Sequence, residues 1–284
     1  MHLSATATKA ASLLARRPGL FCRVMLGKIN SVRRMPPLPV QRRVGSVLFE
    51  YDQAHYRGTA PMYFGSYAPL VVAAMKRYLR PGDVFFDVGA NIGYLSAVAA
   101  DLVGPAGEVH AFEPVPVYFE RLQRLVELNP AHTIVANCAG ASDVIGMGKI
   151  SVTREPGQNT MVPAYKKSPE IVATLDVPTV RLDAYIESRR IHRVSLIKID
   201  AEGFELPVLR GLHKFLDSTG ELPAIICEIA PRAYPLMGIS LRELRKFMGR
   251  IGYCAFDLID GCTPVNLETI DHVEDVLFLA EAAA

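Results

Sequence analysis

Long apolar runs are missing from this chain. Half of its 284 residues are hydrophobic and 21% are charged, yet no uninterrupted stretch approaches the roughly 18 residues of a membrane-spanning helix. An ordinary globular composition remains. Cysteine is sparse: Cys22, Cys138, Cys227, Cys254 and Cys262 form no CxxC pair and adjoin no histidine motif. A cysteine-rich metal site is therefore not expected. Cys138 and Cys227 lie in apolar, strand-like runs and read as reduced core thiols of a cytoplasmic protein. No internal repeat is visible.

Acidic residues are absent from positions 1–49, which hold nine Lys/Arg. The remaining 235 residues carry 22 basic and 29 acidic side chains, a net of −7 beneath an overall +2. A basic arm on an acidic body directs any anionic surface to the arm. The body itself offers nucleic acid no basic, aromatic stripe. Helical spacing in 7–34 is broken at Pro18-Gly19, and Pro36–Pro39 forms a stiff linker. The arm lacks the continuous apolar segment of a secretory signal, and in composition it resembles a transit peptide. It reads either as short solvated helices packed on the body or as a peripheral contact with the inner face of an anionic membrane. The expected division is a basic extension and linker over 1–60 and a globular domain over 61–284.

From about residue 68, strand and helix patterns alternate. VFFDV (84–88) is nearly continuous in apolar residues, as in a parallel strand covered on both faces. Ile92, Leu95, Ala99 and Leu102 then repeat at helical spacing. Further strands are expected at EVHAFEP (108–114), TIVANC (133–138), VSLIKID (194–200) and AIICEI (224–229), with helices over 117–128 and near 205–217. GKISVT (148–153) and TVRL (179–182) do not alternate with helices and predict a β-hairpin insertion over about 144–182. Ser240-Leu-Arg-Glu243 is a capping box opening a helix that stops at Gly252. YCAFDL and DVLFLA have no helix between them and should pair antiparallel at the sheet edge. The fold class is α/β, a Rossmann-like doubly wound, mostly parallel sheet with an antiparallel C-terminal hairpin.

The first strand runs into the turn Gly89-Ala90-Asn91-Ile92-Gly93. A dinucleotide GxGxxG pattern would need glycine at 91 and 94, where the chain has Asn91 and Tyr94, which argues against NAD. What remains, Asp87-x-Gly-x-Asn-x-Gly, resembles the first motif of S-adenosylmethionine-dependent methyltransferases. On that resemblance Asp87 attracts the methionyl ammonium through bound groups or water. Gly89, Ala90, Asn91, Gly93 and Tyr94 form the cofactor turn. Glu113, followed by Pro114, accepts hydrogen bonds from both ribose hydroxyls. Asn137, Ser142 and Asp143 follow the third strand, where this fold places adenine contacts.

LRPGDVFFDVGANIGYLS, AFEPVPVYFERL, LIKIDAEGFELPVLRG and IICE occur in this order over residues 79–228. Together they resemble the FkbM-type methyltransferase family, and DVLFLA is similar to its last strand. The resemblance implies a class I methyltransferase fold and methyl transfer from S-adenosylmethionine to hydroxyls of sugars, glycolipids or polyketide-like acceptors. In one departure, the chain has Tyr67-Ala68-Pro69 where the family often has Tyr-Glu-Pro.

An alcohol acceptor must lose a proton as it is methylated. Asp200 ends its strand at the cofactor crevice, and Glu202 follows; either could take that proton. Lys198 lies on the same strand face and is expected to neutralise Asp200 or Glu228. Asp200 and Glu228 are also candidates to hold a divalent cation, Mg²⁺ being the natural one, that would acidify the hydroxyl. Glu205 reads as a helix-dipole partner, and Asn159 as an acceptor contact. His110, His132 and His213 are isolated and read as structural or surface residues. A nucleotide-linked oxidoreductase and a non-catalytic cofactor-binding module stay open as alternatives.

Overall fold

The computed structural model describes residues 5–30, 39–51, 59–155, 157–167 and 170–281. Helices α1 (Ala5–Arg16) and α2 (Pro18–Asn30) precede a hairpin of β1 (Val40–Val44) and β2 (Val47–Tyr51). Then follow α3 (Thr59–Tyr63), α4 (Pro69–Tyr78), β3 (Val84–Val88), α5 (Tyr94–Val103), β4 (Glu108–Phe112), α6 (Pro116–Leu128) and β5 (Thr133–Asn137). The short strand β6 (Gly140–Ala141) leads into β7 (Gly146–Thr153) and β8 (Ile171–Val180), which pair antiparallel. The chain continues through α7 (Leu182–Arg189), β9 (Leu196–Ile199), α8 (Glu205–Arg210), α9 (His213–Ser218), β10 (Ala224–Ile229), α10 (Leu241–Ile251), β11 (Tyr253–Asp257) and β12 (Glu274–Ala280).

Seven strands form one sheet in the order β5-β4-β3-β9-β10-β12-β11. β12 runs antiparallel to both of its neighbours, and the remaining pairs are parallel. β12 thus inserts between β10 and β11, and β11 forms the edge. Successive residues of each strand point to opposite faces, so the apolar runs feed two cores. Phe85, Val109, Leu196, Ile226 and Leu277 pack with α4, α5 and α6, whereas Phe86, Phe112, Ile197, Ile225 and Phe278 pack with α7 to α10. Such a sheet is doubly wound, and its order reverses direction at β3, from which β4 leads one way and β9 the other. Ligands of open α/β sheets bind at the carboxyl ends of the strands beside such a switch.

Residues 40–51 depart from the expected extension. Val47, Phe49 and Tyr51 alternate inward and are buried in the core shared with α5 and α6. The Gly45-Ser46 turn is tied down, because Asp101 Oδ1 accepts from the Ser46 amide at 2.7 Å and from its hydroxyl at 2.8 Å. The packed body therefore includes the β1–β2 hairpin, and α1 and α2 pack on it as well, through Leu13 and Leu20 against Ile259. The Pro-rich segment read as a linker lies largely outside the described residues. The expected single helix near 205–217 is two short ones, α8 and α9, divided at Gly211, where a Cβ would meet the Ser142 carbonyl at 2.0 Å. Ser240 caps α10 with the reciprocal Ser240–Glu243 bonds of a capping box.

Gly93, at the start of α5, has φ +85°, and a Cβ there would stand 2.8 Å from Leu122 Cδ1 and 3.0 Å from Leu125 Cδ2. It allows α5 to approach α6 closely. Gly93→Ala is therefore expected to destabilise the fold by about 1–3 kcal/mol, through overpacking and the left-handed backbone. Gly249 lies in α10 with open space around it, so Gly249→Ala should be neutral or stabilising. Urea denaturation measures both; equal stabilities for the Gly93→Ala variant and the parent would contradict the packing assigned here.

Candidate functional site

Four strands end at one cleft. β3 contributes Val88 and Gly89, β4 contributes Phe112 and Glu113, and β9 leads into Asp200 and Glu202; Glu228 of β10 stands beside them. The space amounts to about 700 Å³ including its open mouth. Ile150, Asn159 and Met161 of the β7–β8 insertion and Tyr67 before α4 complete the walls. Asn159 also holds its own loop, its Oδ1 accepting from the Thr153 amide at 2.9 Å.

The Gly89–Asn91 turn is shaped by contacts with its neighbours. A Cβ on Gly89, whose φ is +78°, would fall 1.9 Å from the Asp200 carbonyl oxygen. Bare backbone is needed there for the turn to pass β9. The amides of Gly89 and Ala90 both donate to the Phe112 carbonyl at 3.0 Å. Asn91 adopts φ +52° and accepts from the Ile92 amide through Oδ1 at 2.7 Å, a local bond that suits asparagine to the left-handed region.

Glu113 anchors the same turn. Its Oε2 accepts from the Asn91 amide at 2.8 Å and its Oε1 from the Val115 amide at 2.9 Å. Burial pushes its carboxyl up to about 7, against the lowering effect of these two amides. Each carboxylate oxygen has a further lone pair, and Glu113 lines the cleft.

At the other end, Asp200, Glu202 and Glu228 each offer an oxygen within 4.8 Å of the others. Glu202 has φ +49° and is followed by Gly203 at φ +99°, two successive left-handed residues. The insertion secures this turn, since Thr160 Oγ1 donates to the Glu202 carbonyl at 2.7 Å. Burial and the nearby Asp200 push the Glu202 carboxyl up to about 8, with Lys166 opposing. Burial and Asp200 likewise raise Glu228, whose Oε2 is buried without a hydrogen-bond partner.

Lys198 is 2% exposed. Its Nζ lies 3.4 Å from Asp200 Oδ2 and 3.1 Å from Asp275 Oδ1. Burial acts to lower its pKa, but Asp200, Asp275 and Glu228 outweigh burial and hold the ammonium well above the usual lysine range. Asp275 was not expected. It reaches this place because antiparallel β12 starts where β10 ends, with Asp275 opposite Glu228 in register. The aspartate that opens DVLFLA was the available signal, but its meaning depends on that register.

Several expected site residues stand elsewhere. Asp87 is 1% exposed and does not line the cleft; Ser96 Oγ donates to its Oδ2 at 2.5 Å beneath the turn. Burial pushes its carboxyl up to about 6, against Ser96 and Lys198. Ala90 is buried in the core. Gly93 faces α6, as above, so a larger residue there would strike Leu122 before any ligand. Tyr94 packs edge-on against Phe49 and Tyr67. Asn137 is occupied by the Ala111 and Val135 carbonyls at 3.1 and 3.2 Å. Ser142 and Asp143 lie past the cleft, whose wall is instead Ala139, Gly140 and Ala141, while Pro114 does line it. The small residues of 139–141 gave no polar signal in the sequence. His110 contacts Tyr185 and Glu108, His132 lies 3.4 Å from the Ser46 hydroxyl, and His213 pairs with Asp217.

Glu205 is wholly buried; its Oε1 accepts from the Gly203 amide at 2.6 Å and its Oε2 has no partner. Burial pushes its carboxyl up to about 7. A folded pKa above the unfolded value gives stability that is complete below about pH 4.3 and lost as pH rises through about 7. Glu205→Gln cannot ionise and retains an acceptor for Gly203. The melting temperature of this variant relative to the parent should therefore rise between pH 5 and pH 8. A difference independent of pH would contradict the assignment.

Comparison with known proteins places this geometry in a family. The profile of the methyltransferase FkbM domain matches residues 87–255, more than half of the chain. The chain is 33% identical over 161 residues to the 31-O-demethyl-FK506 methyltransferase FkbM of Streptomyces tacrolimicus, covering 48% of this chain and 61% of that protein. It is 31% identical over 148 residues to the hexuronic acid methyltransferase AglP of Haloferax volcanii, covering 52% of this chain and 57% of that one. The matches therefore span roughly three-fifths of these relatives' length. A solved methyltransferase FkbM from Methylobacillus flagellatus aligns with a TM-score of 0.42 at 16% identity, over 95% of this chain and 60% of that one. With the profile running from the β3 turn through β11, this chain belongs to the methyltransferase FkbM domain family.

Proposed function

We propose that this protein transfers a methyl group from S-adenosylmethionine to a hydroxyl oxygen of a sugar, glycolipid or polyketide-like acceptor. The observation that carries the reading is the polarity of the cleft. Its β4 end offers Glu113, suited to a pair of hydroxyls, and its β9–β10 end offers Asp200, Glu202 and Glu228, suited to a proton and a positive charge. The named activities of the two curated relatives, on 31-O-demethyl-FK506 and on a hexuronic acid, support an oxygen-rich acceptor.

The residues present fit the cofactor. Gly89 and Gly140 leave bare backbone along the cleft, and the spare lone pairs of Glu113 match a ribose diol. When bound, S-adenosylmethionine supplies a methyl carbon already activated by its sulfonium. The chain's own task is then alignment and proton removal. Asp200 accepts the acceptor's hydroxyl proton as the new C–O bond forms and the C–S bond breaks. Lys198 fixes the Asp200 carboxylate from beneath. Glu202 and Glu228, their carboxyls raised, hold protons at neutral pH and hydrogen-bond rather than repel. Asn159 and Met161 of the insertion line the same cleft, where they would meet the acceptor.

The spacing of Asp200, Glu202 and Glu228 favours one further version, in which the three hold a divalent cation that acidifies the hydroxyl. Asp200→Asn tests both. It retains shape and removes the base, so S-adenosylhomocysteine affinity should change little while turnover falls on the order of 100-fold or more. With the base alone at work, the parent keeps its activity in chelator; with a cation, chelator silences it and Mg²⁺ restores it. A fully active Asp200→Asn enzyme would contradict both versions.

A further inference from the structure

Helix α2 has two apolar faces. Leu20, Phe21 and Val24 turn inward, where Leu20 joins Leu13 of α1 and Ile259 in a small core. Cys22, Met25, Leu26 and Ile29 follow at i, i+3, i+4 and i+7, the spacing of a single helical stripe, and this stripe points away from the body. Met25, Leu26 and Ile29 are 40%, 51% and 57% exposed, and Cys22 is exposed as well. At ~100° per residue, Arg23 and Lys28 fall on the two flanks of the stripe. Among the described residues nothing covers it.

We infer that this stripe docks α2 onto the surface of an anionic bilayer. Charge complementarity selects that occupant: the first 49 residues hold nine Lys/Arg and no acid. An apolar stripe flanked by cations lies in the headgroup interface, its side chains among the acyl chains and its long basic stems reaching the phosphates. The helix runs 13 residues, about 20 Å, enough to lie on a membrane. No helix among the described residues is long and apolar enough to cross one. A second copy of the chain fits less well, because α2 against α2 would oppose Arg23 and Lys28 with no acid between them.

The position of α2 relative to the cleft gives the docking a purpose. Val24 and Lys28 of α2 line a gap of about 810 Å³ together with Ser66 to Val71 and Asp275. Tyr67 lines both this gap and the main cleft. A bilayer on the outer stripe of α2 would thus lie one helix diameter, about 10–12 Å, from this gap, and the acceptor would be a hydroxyl-bearing head group carried on a lipid. That choice of acceptor rests on the methyl-transfer reading above; the docking does not.

Full-length protein sedimented with vesicles tests the docking directly. The parent should bind vesicles of ~30 mol% phosphatidylglycerol in phosphatidylcholine at least about tenfold better than pure phosphatidylcholine, and salt should weaken this binding. The triple variant Met25→Ser, Leu26→Ser, Ile29→Ser should lose at least about tenfold of that partitioning while retaining the parent's affinity for S-adenosylhomocysteine. Failure of the parent to bind anionic vesicles, or equal binding by the variant, would overturn the proposal. So would a dimeric parent that the variant converts to monomers, since the occupant would then be a second copy. A parent that binds these vesicles but no S-adenosylhomocysteine upholds the docking and refutes the methyl-transfer reading instead.

Discussion

The ammonium of Lys198 touches the carboxylates of Asp200 and Asp275 inside the sheet edge, with Asp87 and Glu228 close enough to act on it electrostatically. Five ionisable side chains so close together require each other. Without the lysine, the acids at the ends of β3, β9, β10 and β12 would repel across a dry interior. Without the acids, a buried ammonium would be deprotonated or expelled. Such a pair adds little net stability over an apolar equivalent, but loss of one partner costs about 3–5 kcal/mol. The arrangement therefore serves position more than stability, holding Asp200 at the rim of the cleft.

The sheet topology makes this possible. Parallel β3, β4, β9 and β10 deliver their last residues to one rim, and antiparallel β12 delivers its first residues to the same rim. Above it, the β7–β8 insertion supplies a roof that is bonded to the strained Glu202-Gly203 turn through Thr160. Two left-handed residues in succession persist because both neighbours hold them. Helix α2 packs outside α4, and its Val24 and Lys28 line a gap with Tyr67 and Asp275, so α2 lies close to the charge cluster at this rim.

Features encoded by local pattern were legible in the sequence. The apolar strand ending at Val88, the glycine turn after it and the capping box at Ser240 each depend on residues within one or two turns of one another. The doubly wound class and the antiparallel end also followed from alternation and from the missing α-helix before DVLFLA. Features that depend on register or on a facing surface were not legible. Gly93 looked like a ligand contact because it sits in the motif, yet its missing Cβ accommodates Leu122 and Leu125 from α6. Asp87 looked like a cofactor contact because it opens the motif, but Ser96, nine residues on, bonds it from the first turn of the helix. The β1–β2 hairpin escaped notice because exposed Gln41, Arg42 and Arg43 conceal the inward alternation that begins at Val47. For Asn137, Ser142 and Asp143, polarity suggested ligand contacts, whereas the cleft wall there is built from Ala139, Gly140 and Ala141.

The central claim is that one cleft holds a ribose at Glu113 and presents the reacting centre to Asp200. The most direct measurement is a crystal structure of the protein grown with S-adenosylhomocysteine. The account predicts both ribose hydroxyls within hydrogen-bond distance of Glu113, the adenine against Ala139–Ala141, and the sulfur on the side of Asp200. A ligand bound in any other cavity, or one in this cleft with its ribose turned away from Glu113, would contradict it.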